Sequence, residues 1–90
     1  MTAVLTARHT VADFGAWHVV YTSLDPLRAE HGCTADHVYH LPGEPLDVFV
    51  VHQFPTLAQA QAFAGDPALA TAMKSGGVVS APRIEIFEGA

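Results

Sequence analysis

Apolar and polar residues change period several times along this chain, and each change marks the edge of an element. From Thr2 to Val11 the residues are short, β-branched or apolar, with Arg8 and His9 adjacent near the end. This predicts a first strand whose two faces differ in chemistry. Across Asp13 the period becomes helical, because Phe14, Trp17, Tyr21, Leu24 and Arg28 recur on one stripe that must face a sheet, with Asp13 placed as the cap. Asp25-Pro26 interrupts the stripe, since proline lacks an amide donor and disfavours helical geometry in the residue before it. The expectation is a helix from Asp13 to His31 with a break, Asp25 capping its second part and Gly32 stopping it.

Two strand-like runs follow, Thr34 to Leu41 and Leu46 to Phe54, joined by the turn composition Pro42-Gly43-Glu44-Pro45. Thr56 caps a helix over Leu57 to Ala64, Asp66-Pro67 opens a further helical stretch ending at Gly76-Gly77, and Pro82 to Glu88 alternates as the last strand. The order is βαββαβ. Right-handed connections in its two βαβ halves make an α+β, ferredoxin-like fold the compact solution: a four-stranded antiparallel sheet with the helices on one face. The opposite face then carries Val4, Tyr39 or Phe49, Val51 and Phe87 uncovered, and a second copy pairing sheet to sheet would bury them.

Composition points the same way. At 90 residues the chain is a single domain, residues 1–90, and half of those residues are apolar. A small domain buries a limited fraction of its surface, so a homodimer is expected. Four basic residues stand against nine acidic ones, which leaves no electrostatic footprint for nucleic acid or an anionic membrane. Cys33 stands alone, excluding an internal disulfide and fitting a reducing, cytoplasmic location. The apolar run Ala3-Val4-Leu5 is interrupted by Thr6 and Arg8, too short for a signal peptide or a membrane span.

The chain resembles the dimeric α/β-barrel superfamily, in particular the small actinobacterial proteins labelled cyclases or antibiotic-biosynthesis-monooxygenase-like. The resemblance rests on His9-x-Val11-x-Asp13-Phe14-x-x-Trp17, the hairpin from Val38-Tyr39 to Phe54, the Asp66-Pro67-x-Leu69 turn, and the ending Gly77-Val78 to Pro82. It implies a dimer, closed through the open sheet face into an α/β barrel, with one pocket per subunit between sheet and helices.

The two halves also repeat a local pattern: His9-Thr-Val-Ala-Asp13-Phe14 matches His52-Gln-Phe-Pro-Thr56-Leu57, each histidine four residues before a helix cap. With the first and third strands as central, parallel neighbours, His9 and His52 should emerge at similar heights and share a substrate. Period-two alternation sets His9 with Ala7 and Leu5, and His52 with Val50 and Val48, on the helix side. Ile84 and Ile86 floor the same pocket, and Trp17 and Tyr21 roof it. If Leu41 pairs with Asp47, Asp36 stands opposite His52 and can orient it; a one-residue slip brings in His37 and Tyr39 instead.

A histidine base with a tyrosine donor can take a proton from an activated carbon. The expected function is therefore a cofactor-independent cyclase of a polyketide-like or aromatic metabolite, with His9, His52, Tyr21 and Asp36 catalytic. Substrate contacts are expected from Trp17, Phe14, Ala7, Leu5, Val50, Ile84 and Ile86, with no metal and no cofactor. The alternatives are a cofactor-free monooxygenase of the antibiotic-biosynthesis type, and a non-catalytic ligand-binding barrel whose histidines are core residues. Zinc on His31, Cys33, His37 and His40 is disfavoured, because alternation sends His37 and His40 to opposite faces. A two-histidine, one-carboxylate set of His9, His52 and Asp36 is the other metal arrangement considered. Arg8 and Glu85 are expected to pair at the dimer face.

Overall fold

The computed structural model describes residues 1–90. Its elements are β1 (Ala3–Thr10), α1 (Phe14–Ser23), α2 (Asp25–Glu30), β2 (Ala35–Leu41), β3 (Glu44–Phe54), α3 (Leu57–Ala64), α4 (Pro67–Ser75) and β4 (Arg83–Glu88). The strands form one antiparallel sheet in the order β2-β3-β1-β4. This is the ferredoxin-like α+β fold.

Three side chains set the helix starts. Asp13 Oδ1 accepts from the Ala16 amide at 2.8 Å, Thr56 Oγ1 from Gln59 at 3.2 Å, and Asp66 Oδ1 from Ala68 at 2.9 Å. Each satisfies an amide that the first helical turn leaves without a partner. Asp25 does not cap α2; Leu24 is the boundary residue, and the Asp25 carboxylate pairs with Arg28 one turn on. The hairpin turn is shorter than its composition suggested, closing at Pro42-Gly43 with Gly43 at φ 79°, so Glu44 and Pro45 already belong to β3.

On the helix side of the sheet lie Ala3, Leu5, Ala7, His9, Val48, Val50, His52 and Phe54, all buried, beneath Trp17, Ala60, Phe63 and Leu69. The other side leaves Tyr39, Phe49 and Phe87 exposed. Two ion pairs frame that side, Arg8 with Asp47 at 2.9 Å and Arg83 with Glu85 at 3.0 Å. Arg8 therefore pairs across to β3, where Asp47 meets it with both carboxylate oxygens, and not with Glu85.

Candidate functional site

The sheet register decides which residues meet. β1 and β3 run antiparallel, with Leu5 opposite His52 and His9 opposite Val48. Two histidines that each stand just inside the C-terminal end of their own strand therefore sit toward opposite ends of the sheet. Four residues at about 3.4 Å each separate them by about 14 Å along the strands. They share a face but not a height, which corrects the expectation drawn from parallel neighbours. It also rules out one metal ion held by His9, His52 and Asp36.

Both histidines nevertheless line one mostly apolar cavity, walled by Leu5, Ala7, Val50 and Ile84 from the sheet and by Trp17, Tyr21, Met73 and Phe63 from the helices. Its volume is about 50 Å³. Phe14 and Ile86 fall outside its lining. Phe14 opens α1 beyond the end of the cavity, where its ring packs 5.7 Å from both Trp17 and His18. Ile86 stands opposite Leu5 on β4, where α3 covers the sheet.

At the His52 end the polar groups form a chain. In β2, Asp36 stands opposite His52 and Val38 opposite Val50, while a bulge at His40/Leu41 lets Leu41 pair with Glu44 where Asp47 was expected. The Tyr21 hydroxyl donates to Asp36 Oδ2 at 2.8 Å and lies 3.0 Å from His52 Nε2. A phenol has one proton, and here it is directed at the carboxylate, so Nε2 of His52 carries the single ring proton and donates to the phenol oxygen. That tautomer makes Nδ1 a bare lone pair. Nδ1 is buried and without a partner.

Burial, with help from the Arg28 guanidinium and against the pull of Asp36, pushes the His52 imidazole down to about 4. Burial and the bond to Asp36 raise Tyr21, which stays a neutral phenol. At neutral pH the chain therefore reads carboxylate, phenol, neutral imidazole.

Sequence reading left Arg28 without a role, although its place on the helical stripe with Trp17 and Tyr21 already aimed it at the sheet. It is 3% exposed and lines the cavity. Its guanidinium carbon lies 4.1 Å from the centre of the Tyr21 ring, and Nη2 donates to the Tyr21 carbonyl at 2.7 Å and to Asp25. Asp25 is mostly solvated, with its side chain 63% exposed, so the positive charge at the cavity wall is only partly neutralised.

The remaining candidates lie elsewhere. His31 is half-buried, with Nε2 2.9 Å from Asp66 and its ring edge-on to Phe63. His37 and His40 project from the edge strand β2, both exposed. The Cys33 thiol donates to the Ala35 carbonyl at 3.3 Å, and burial pushes its pKa up, which suits a structural role.

No family model matches this chain, and no curated protein matches it by sequence. Solved structures do. SnoaB, a cofactor-independent oxygenase from Streptomyces nogalater, superimposes with a TM-score of 0.80 at 10% identity, over 99% of this chain and 93% of that one. A protein provisionally described as an antibiotic biosynthesis monooxygenase, from Bordetella bronchiseptica, gives 0.80 at 13% identity, over 99% and 97%. A protein from Shewanella oneidensis gives 0.74 at 21% identity, over 96% and 88%. Identities this low speak to fold alone: the chain shares the ferredoxin-like fold of these solved structures.

Proposed function

We propose that this chain is a cofactor-independent small-molecule oxygenase that acts by deprotonating its substrate. The observation that carries this reading is the chain Asp36–Tyr21–His52, which ends on a bare, buried Nδ1 in an apolar cavity beside Arg28. Nδ1 takes a proton from an enolisable CH₂ of an aromatic or polyketide-like ketone. The resulting imidazolium is stabilised through Tyr21 by Asp36, and the substrate anion by Arg28. Proton transfer thus leaves the net charge of the site unchanged. The anion then reacts with dioxygen: CH₂ becomes C=O, one oxygen atom enters the product and the other leaves as water, the substrate supplying every electron.

A cyclase would use the same base, and among the solved neighbours SnoaB's description favours oxygen chemistry over cyclisation. A volume of about 50 Å³ is well below the ~150 Å³ that admits benzene in an engineered cavity. Ring substrates therefore enter by outward movement of α1 and α2, whose junction at Leu24 is already a break in the helix. The second part of the proposal is a homodimer in which a second copy covers Tyr39, Phe49 and Phe87. Sedimentation at micromolar concentration tests it, and a monomer contradicts it.

The activity test is oxygen uptake with a fused-ring aromatic ketone bearing an acidic CH₂, in the presence of a chelator and without flavin. Uptake that disappears in His52→Ala, with the fold retained, supports the reading. Ring closure without oxygen uptake favours the cyclase, and ligand binding without turnover favours a binding protein.

A further inference from the structure

The far end of the cavity holds a second buried histidine in a different state. His9 is 5% exposed, lines the same cavity as His52, and has no partner for either ring nitrogen. Its ring lies 5.7 Å from that of Trp17. Burial alone lowers its pKa, with no carboxylate or phenol to orient it. At neutral pH it is a neutral imidazole offering one N–H donor and one lone pair to an otherwise apolar wall. No hydrogen-bonded relay reaches it, so the chemistry of proton transfer belongs to the His52 end.

Resting on that assignment of the base, we propose that His9 is a specificity-determining residue that hydrogen-bonds a hydroxyl or carbonyl oxygen at the end of the substrate remote from the reacting carbon. The separation of the two histidines, about 14 Å along the strands, and the apolar wall between them define the substrate class. It is an elongated, flat molecule with an oxygen function at each end. The bare Nδ1 at one end and the donor-acceptor imidazole at the other fix which end reacts.

Calorimetric titration with 2-naphthol and 2,6-dihydroxynaphthalene tests this, because the two probes differ only in the second hydroxyl. The wild type should bind the diol about ten-fold tighter, the scale of one buried hydrogen bond. His9→Leu should reduce the diol to the affinity of 2-naphthol and leave 2-naphthol unchanged, while His9→Gln, which keeps a donor and an acceptor, should retain part of the preference. Thermal unfolding of each variant confirms the fold. Equal binding of the two probes by the wild type, or equal weakening of both in His9→Leu, overturns the role of His9 and leaves the His52 base intact. Failure of the wild type to bind either probe overturns both.

Discussion

The two halves of the chain start from the same local pattern and build opposite surroundings. After His9, α1 brings Trp17 and Tyr21, large rings that line the cavity together with small Ala7. After His52, α3 reads Leu-Ala-Gln-Ala-Gln-Ala-Phe-Ala, and its Ala60 and Phe63 are fully buried, with the Phe63 ring packed on His52 and Phe54 of β3. One half makes space and the other fills it. The cavity exists because of this asymmetry, and its polar groups follow the bulky half: Tyr21 and Arg28 come from α1 and α2, and they reach across to the histidine of the other half.

The largest effect that can break this comparison is on turnover. With His52 as the base, His52→Ala should lower kcat by about a hundred- to ten-thousand-fold, whereas His9→Ala should act mainly on KM. Equal losses of kcat in the two variants would restore a symmetric pair of catalytic histidines. On the filled side, Phe63→Ala should cost about 3–5 kcal/mol of stability in denaturant unfolding. A loss under ~1 kcal/mol would mean that α3 is not the tight half.

How much of this was legible in the sequence follows from what each signal depends on. Caps and periodicity are local, so Asp13, Thr56 and Asp66 located the helix starts, and alternation put His9 and His52 on the buried face. The Asp36–His52 pairing was one of two registers that counting back through the hairpin left open, and it holds although Leu41 does not meet Asp47, because the bulge lies beyond Val38. Strand direction is not local. Treating β1 and β3 as parallel placed the histidines at one height, and only the antiparallel ladder separates them. Arg28 was visible on the helical stripe, but composition only counted it among four basic residues, and its burial depends on the Tyr21 ring beneath it. His31 was missed because Asp66 lies 35 residues away.

Acid stability sharpens the contrast between the histidines. The folded His52 titrates near 4 against an ordinary 6.5. As pH falls through 6.5 the unfolded chain takes up this proton first, so stability is full above 6.5 and declines toward 4. The loss is about 3 kcal/mol. His9, also lowered, adds to the loss in the same direction. Unfolding measured between pH 7 and 4 should show this slope, and His52→Phe should flatten most of it; an unchanged slope would deny the burial of the charge-sensitive imidazole.

A smaller effect separates positioning from proton transfer. Tyr21→Phe strands Asp36 and Nε2 of His52 without their shared partner and should cost about 1–3 kcal/mol. It should also move the pH profile of kcat, which a purely structural role would leave in place. Smallest of all, Asp13→Ala and Thr56→Ala should each cost about 1 kcal/mol, because the two caps are local devices indifferent to the cavity. Unequal costs would show that the cap of α1 also holds the cavity wall.

The central claim is that Tyr21 donates its hydroxyl hydrogen bond to Asp36 and thereby holds His52 with Nε2 protonated and Nδ1 bare. Nitrogen-15 NMR of the imidazole at neutral pH reads this directly. The account predicts a protonated Nε2, an unprotonated Nδ1 and a titration midpoint near 4. A proton on Nδ1, or a midpoint near the ordinary 6.5, would contradict it.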